Sequence, residues 1–80
     1  MRLDKFLKVS RIIKRRTVAK DFAESERVMI NGRTAKPSSE VKKGDIIIIQ
    51  VGERKTTVEV LDIKENVKAA EAKNLYRTIE

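Results

Sequence analysis

Cysteine and histidine are both missing from this 80-residue sequence. The lack of cysteine excludes disulfides and thiolate metal sites, and the lack of histidine removes the usual general base at neutral pH and the commonest zinc ligand. The three glycines do not form the loop with which nucleotide-binding proteins cradle phosphates. The carboxylates do not form the closely coupled pair that acid–base hydrolysis uses. We therefore expect a protein that is not an enzyme and that holds no cofactor or metal.

Long apolar runs are missing as well. The longest one, Ile46 to Ile49, is far shorter than the roughly 20 residues of a membrane-spanning helix. Met1 leads directly into Arg2-Leu3-Asp4-Lys5 without the apolar stretch of a secretory signal. We expect one small domain that is soluble and cytoplasmic and has no membrane partner.

Positive charge is abundant, and its distribution is uneven. The formal net charge is +7. The first 20 residues contain eight basic side chains and one acidic side chain, whereas the remaining 60 contain eleven of each. All of the net charge therefore lies in the first quarter of the chain. A basic segment attached to a neutral body indicates a polyanionic partner, with nucleic acid as the first choice.

Apolar periodicity predicts two helices at the start of the chain. The first helix carries a helical stripe of Leu3, Phe6, Leu7, Ser10 and Ile13. The second is predicted to begin with Thr17 as its N-cap and to end near Ser25-Glu26. Its predicted buried side is formed by Val18, Ala19, Phe22 and Ala23.

The apolar period changes to two after the second helix. Val28 and Ile30 alternate before Asn31-Gly32, which is a strong signal for a type I′ hairpin turn. Further strands are predicted over Ile46 to Val51 and over Thr56 to Ile63. The last segment, Glu65 to Glu80, has loose helical spacing and predicts a weak helix. The expected fold is an α+β domain with two N-terminal helices and a small, mostly antiparallel sheet of four or five strands.

The Lys14-Arg15-Arg16-Thr17 junction is the candidate working site. If Thr17 opens a helix, the unpaired backbone N–H groups of residues 18–20 point outward at the positive end of the helix dipole, where phosphate binds readily. Arginine side chains add planar forks that grip phosphate oxygens with two hydrogen bonds. The candidate RNA-binding residues are Arg2, Lys5, Lys8, Arg11, Arg15, Arg16, Lys20 and Lys36.

An ordered set of motifs resembles a known RNA-binding family. The motifs are Arg2-Leu3-Asp4-Lys5-Phe6-Leu7, Arg16-Thr17-x-Ala19, Arg27-Val28-x-Ile30-Asn31-Gly32, Lys36-Pro37-Ser38 and Val41-x-x-Gly44-Asp45. Together they resemble the domain first recognised in ribosomal protein S-four, the alpha-L motif. The resemblance covers about residues 1–63, which we assign as the RNA-binding domain, with 64–80 as a C-terminal extension. In its N-terminal segment, its length and its Asn74-Leu75-Tyr76 tail, the sequence is most similar to free-standing members of the RqcP (YabO) type, which are related to a small ribosome-binding heat-shock protein.

The resemblance implies a function and a set of partners. It implies binding to ribosomal RNA and peptidyl-tRNA on an obstructed large ribosomal subunit, together with the RqcH (NEMF-type) factor, while alanine tails are added to stalled chains. By motif match, Arg2 and Arg16 contact RNA backbone, and Asp4 and Thr17 are candidate orienting residues. Arg15 stands where many members have serine. Ser25-Glu26 replaces a glycine that often closes the second helix, so we expect a non-glycine residue to accept the tight exit of that helix. Because no large apolar stripe remains exposed once the predicted core is formed, we expect a monomer.

Other functions stay open at this stage. Within the family, the rival is a heat-shock-type factor that rescues free large subunits with attached nascent chains. Outside it, the first two helices resemble a helix–turn–helix that binds DNA, although Lys20, Asp21 and Glu24 are a poor set for reading bases. A helix lying on a membrane surface is a third reading, disfavoured because Leu3, Phe6 and Leu7 are needed for the core.

Overall fold

The computed structural model describes residues 1–79 and has two layers, with the helices packed on a five-stranded antiparallel sheet. The helices are α1 (Leu3–Val9), α2 (Arg16–Glu24) and the short α3 (Ala69–Ala72), which continues into a 3₁₀ turn (Lys73–Leu75). The strands are β1 (Val28–Ile30), β2 (Arg33–Thr34), β3 (Ile46–Val51), β4 (Arg54–Val60) and β5 (Tyr76–Ile79). Their order in the sheet is β2-β1-β3-β4-β5. The α+β class and the antiparallel sheet predicted from the sequence are confirmed.

Helix and strand periodicity place one shared core between the layers. α1 buries Leu3, Phe6 and Leu7 completely, while β3 buries Ile47 and Ile49 and leaves Ile48 between them half-buried. The predicted stripe is confirmed at Leu3, Phe6 and Leu7. Ser10 is also buried, but it is the C-cap of α1, and Ile13 lies beyond the end of the helix and is half-buried. In α2 the prediction is partly wrong, because Ala19 and Ala23 are buried and Phe22 is half-buried, but Val18 is exposed.

The exits of the two N-terminal helices are closed without glycine. Arg11 follows α1 with φ of 61°, and Glu26 follows α2 with φ of 61°. Helices commonly end with glycine in this left-handed conformation, because a side chain there is strained. The sequence-based expectation that a non-glycine residue accepts the tight exit of α2 is confirmed at Glu26. The same solution at Arg11 was not foreseen.

The turns of the sheet follow the local sequence closely. Asn31 and Gly32 both have positive φ, 52° and 83°, so the predicted hairpin between β1 and β2 is confirmed. The side chain of Asn31 also reaches the turn before β3, where its Oδ1 accepts a hydrogen bond from the backbone N–H of Ile46 at 2.9 Å and its Nδ2 donates to Asp45 at 3.1 Å. Asn31 thus joins two turns that the sequence presents separately.

The C-terminal segment differs from the weak helix predicted over Glu65 to Glu80. Helical geometry is confined to α3 and the 3₁₀ turn, and β5 pairs antiparallel with β4. A helix of one turn is marginal by itself, whereas the free edge of β4 supplies backbone partners for the β-forming residues of β5. The last predicted residue, Glu80, lies outside the described residues. No helix among residues 1–79 is long and apolar enough to cross a bilayer.

Candidate nucleic-acid interface

A buried carboxylate ties together two arginines that are distant in the sequence. The side chain of Asp4 is only 3% exposed, and its two oxygens accept hydrogen bonds from Nε and Nη2 of Arg2, each at 3.2 Å. Nε of Arg16 lies 3.5 Å from Asp4 Oδ2, and the backbone N–H of Lys5 donates to Oδ1 at 2.8 Å. Two guanidinium groups therefore share one carboxylate, and the cluster of Arg2, Asp4 and Arg16 keeps one net positive charge. We call it the Asp4 cluster.

The arginines of the Asp4 cluster remain available to a ligand. Their side chains are 52% and 49% exposed, although the carboxylate beneath them is buried. An arginine carries five N–H donors, so bonding to Asp4 leaves donors free for phosphate oxygens. The carboxylate therefore acts as a fixed support that reduces the side-chain freedom lost on binding.

The N-terminus of α1 is closed by a loop. The backbone N–H of Leu3 donates to the carbonyl of Ser39 at 2.8 Å, and that of Asp4 donates to the carbonyl of Pro37 at 3.1 Å. With the Lys5 N–H bonded to the Asp4 side chain, the first N–H groups of α1 all have partners. Those hydrogen bonds also bring the loop of residues 36–40 against the start of α1.

The N-terminus of α2 is open by contrast. Its N-cap is Arg15, which makes no side-chain capping bond. The prediction of Thr17 as N-cap is therefore wrong, because the N-cap lies two residues earlier and Thr17 lies within the first turn of α2. The backbone N–H groups of residues 16–18 have no partner among residues 1–79, whereas that of Ala19 donates to the carbonyl of Arg15. This helix start lies beside Arg16 and adds N–H donors and the positive end of the helix dipole to the same surface.

A groove of about 580 Å³ extends from the Asp4 cluster. Arg2, Lys20 and Lys36 line it, with Ala23 and Ala35 among its apolar residues. We call it the Lys36 groove. Lys36 lines this groove because the 36–40 loop is hydrogen-bonded to the start of α1. These hydrogen bonds bring together residues that are more than thirty positions apart in the sequence. Glu24 and Glu26 lie at the same groove, and Lys20 forms an exposed ion pair of 3.9 Å with Glu24.

A second groove, of about 310 Å³, lies at the other end of α1. Lys8, Arg11 and Lys14 line it together with residues 65–67. We call it the Lys8 groove, and it has no lining residue in common with the Lys36 groove. The basic junction of residues 14–17 is therefore divided, because Lys14 lines this groove while Arg16 belongs to the Asp4 cluster.

Lys5 lines neither groove and pairs with an acidic residue. Its ammonium group forms an ion pair with Glu65 from the C-terminal segment. The hydrogen bond from Lys5, followed by its charge, lowers the pKa of the Glu65 carboxyl below the ordinary value of 4.5. The side chain of Glu65 is 70% exposed, so solvent screens this pair and it contributes little to stability.

Comparison with known proteins identifies the domain. A protein-family model described as the S4 domain matches residues 1–47, from the start of the chain into β3. The chain belongs to the S4 domain family. The matched region contains every basic residue of the Asp4 cluster and of the Lys36 groove.

Relatives of this S4 domain extend the likeness to the full chain. It is 51% identical over 80 residues to a protein of Bacillus subtilis named RQC P-site tRNA stabilizing factor, covering 100% of this chain and 93% of the relative. It is 37% identical over 81 residues to a heat shock protein 15 homologue of Aeromonas salmonicida, covering 100% of this chain but 61% of the relative. The trimeric structure of Vibrio cholerae heat shock protein 15 superposes with a TM-score of 0.89 at 36% identity, covering 99% of this chain and 81% of that one.

The predicted site residues of this S4 domain therefore form separate groups. Arg2, Arg16, Lys20 and Lys36 come together around Asp4 and the Lys36 groove, with Arg15 exposed at the adjacent helix start. Lys8 and Arg11 lie apart in the Lys8 groove, where the structure adds Lys14. The basic run Lys14-Arg15-Arg16 is a sequence signal for Lys14. No sequence signal indicates the pairing of Lys5 with Glu65.

Proposed function

We propose that this S4 domain is a non-catalytic RNA-binding factor of the large ribosomal subunit that acts in ribosome-associated quality control. The observation that carries the proposal is the Asp4 cluster, in which Arg2 and Arg16 are held side by side next to the open start of α2. Full-length relatives named RQC P-site tRNA stabilizing factor support the assignment of the RNA.

The proposed mode of binding is contact with RNA backbone. Guanidinium forks and free helix N–H groups are suited to phosphate oxygens, and contacts of this kind position a protein without reading base edges. Stacking on bases is disfavoured, because Phe6 is buried and the ring of Phe22 lies 5.6 Å from the guanidinium carbon of Arg27. RNA shape then selects the binding site.

A finer proposal concerns the ribosomal state. The factor contacts ribosomal RNA and peptidyl-tRNA on obstructed large subunits and works with an RqcH (NEMF-type) partner while alanine tails are added to stalled chains. Residues 1–63 make the RNA contacts as a monomer, and the extension of residues 64–80 completes the sheet through β5. The near-complete coverage of the Bacillus subtilis relative, 93%, supports this type.

The test compares two arginines that differ in position but not in chemistry. Arg16 and Arg77 are both half-exposed or more, and each contacts a carboxylate, Asp4 and Glu59 respectively. Arg16→Ala is expected to weaken co-sedimentation with large subunits carrying peptidyl-tRNA by about tenfold, and to lower the slope of log affinity against log salt by about one. Arg77→Ala removes the same charge from β5 and is expected to leave both quantities unchanged.

Equal effects of the two substitutions contradict the proposed site, since only total charge would then matter. Absence of wild-type binding to such subunits contradicts the proposed function itself.

The alanine-tailing role is tested separately by measuring tails on a stalled reporter in cells that carry either variant. Loss of tails with Arg16→Ala but not with Arg77→Ala is the expected result.

A heat-shock-type role is the second candidate, favoured by the structural likeness to Vibrio cholerae heat shock protein 15. The homologue from Aeromonas salmonicida is considerably longer, because this chain covers 61% of it. Profiles of ribosome fractions with and without the RqcH-type partner distinguish the two roles. The tailing role requires association that depends on the partner, whereas rescue of free subunits does not.

DNA binding through the two N-terminal helices receives no support from the exposed face of α2. Asp21 and Glu24 are both exposed there, and two acids facing a DNA groove oppose binding. Competition between duplex DNA and ribosomal RNA for the purified protein checks this, with preference for RNA as the expected outcome.

A further inference from the structure

The Lys8 groove is a concentration of positive charge that the Asp4 cluster does not explain. Lys8, Arg11 and Lys14 are all exposed, and none of them lies within ion-pair distance of an acidic side chain among residues 1–79. The acidic residue in the lining of the groove is Glu65, and its carboxylate is paired with Lys5. The groove therefore presents three cations whose charge is not neutralised locally.

Stabilisation of α1 by its dipole explains the position of Lys8 but not that of Arg11. A cation in the last turn of a helix interacts favourably with the helix dipole, and Lys8 occupies that position in α1. Arg11 is different, because it lies beyond the helix at the left-handed exit with its N–H bonded to the carbonyl of Lys8 at 3.1 Å. Glycine suits that conformation better, and the chain uses glycine at three other positions of positive φ. A long cationic side chain is thus present where the backbone prefers none.

The Lys8 groove is separate from the Asp4 cluster. Arg2 precedes α1 and Arg11 follows it, so the seven-residue helix, roughly 10 Å long, lies between them. The grooves share no lining residue, and Lys14 and Arg16 diverge into different sites although they are two positions apart.

We propose that the Lys8 groove is a second, independent phosphodiester-binding site, which holds a stretch of RNA backbone separate from the one at the Asp4 cluster. This inference rests on the proposed function and deepens it. The domain then contacts RNA at both ends of α1, which resists rotation about a single point of contact. Two linked sites also raise the overall affinity above that of either site.

The test uses Arg11→Gly, because this change removes the guanidinium while giving the backbone the residue it prefers. The probe is the uridine tetranucleotide, titrated into full-length protein while backbone amide NMR shifts are recorded. For the wild type we expect two groups of shifted amides, one around Arg16 and Lys36 and one around Lys8 and Asn66. Arg11→Gly is expected to weaken the second group at least threefold, with no change in the first.

Two controls isolate the cation of Arg11. Glu26→Gly makes the same backbone change at the exit of α2 without removing a cation, and it is expected to leave the Lys8 group unchanged. Lys43→Ala removes one exposed cation from a turn outside both grooves, and it is expected to leave both groups unchanged. A single group of shifted amides in the wild type overturns the second site, as does an equal weakening of both groups by Arg11→Gly.

A measurement on ribosomes separates this inference from the proposed function. With large subunits carrying peptidyl-tRNA, Arg11→Gly is expected to reduce the slope of log affinity against log salt by about one. An unchanged slope overturns the second site and leaves the proposed function standing if Arg16→Ala still weakens binding. Failure of the wild type to bind the subunits overturns the proposed function, whatever the tetranucleotide shows.

Discussion

The two ends of α1 carry similar numbers of cations in different settings. At its start, Arg2 and Arg16 are fixed by the buried carboxylate of Asp4. At its end, Lys8, Arg11 and Lys14 surround an open groove without such a support. Fixed arginines provide defined geometry for phosphate contacts, whereas free lysines provide mainly attraction. The comparison shows that charge count alone does not define a binding surface, because the position of one acid decides which cations are oriented.

The largest expected effect comes from Phe6→Ala, which tests whether both ends depend on one fold. Phe6 is fully buried between the layers, and its removal costs about 3–5 kcal/mol, a large part of the stability of so small a domain. RNA binding at both ends is expected to be lost together. Thermal unfolding followed by circular dichroism checks the stability, and sedimentation with large subunits checks the binding. Retained binding by an unfolded variant would mean that the basic segment acts without its fold.

The next effect is that of Asp4→Asn, which separates orientation from charge. This change keeps the side-chain shape and raises the net charge by one, so attraction alone predicts tighter RNA binding. Loss of the fixed geometry of Arg2 and Arg16 predicts affinity weaker by about tenfold, or ~1.4 kcal/mol. Fluorescence titration with ribosomal RNA at fixed salt measures the difference, and the Lys8 groove is expected to bind the tetranucleotide as before. Tighter overall binding would show that Asp4 restrains the surface rather than orienting it.

Glu26→Gly is expected to have a smaller effect, on stability. The change relieves the left-handed conformation at the exit of α2 and is expected to raise the free energy of unfolding by up to about 1 kcal/mol. The melting temperature of a domain of this size would rise by several degrees. Because Glu26 also lies at the Lys36 groove, RNA affinity at the start of α1 is expected to increase slightly. A lower melting temperature would indicate that the Glu26 side chain makes a stabilising contact.

The smallest effect concerns Glu65, whose pKa is lowered in the folded protein by Lys5. A carboxyl whose pKa is lower in the folded state stabilises the fold above its unfolded pKa, and that contribution is lost as the pH falls through the folded value. Glu65→Gln is therefore expected to remove a small loss of stability on acidification below about pH 4.5. Unfolding measured across pH 3 to 6 checks this. An unchanged pH profile would show that the exposed pair contributes nothing measurable.

Local sequence patterns predicted those parts of the fold that neighbouring residues determine. The stripe of α1 and the turn at Asn31-Gly32 follow from helical periodicity and from the positive φ of the turn residues. The strand β5 was not predicted, because its stability depends on pairing with the edge of β4 rather than on its own residues. Thr17 was wrongly chosen as N-cap, since capping preferences are weak beside the packing that sets where α2 begins.

The sequence by itself determined that this protein carries all of its net charge in its first quarter, and that this segment folds through an amphipathic helix rather than remaining a basic tail. The tertiary structure decided which cations act together. In that structure Arg2, Arg16 and Lys36 lie on one surface, and Lys14 lies on another. These groupings depend on the relative placement of helices, loop and strands, which packing and long-range hydrogen bonds fix and which no local pattern encodes.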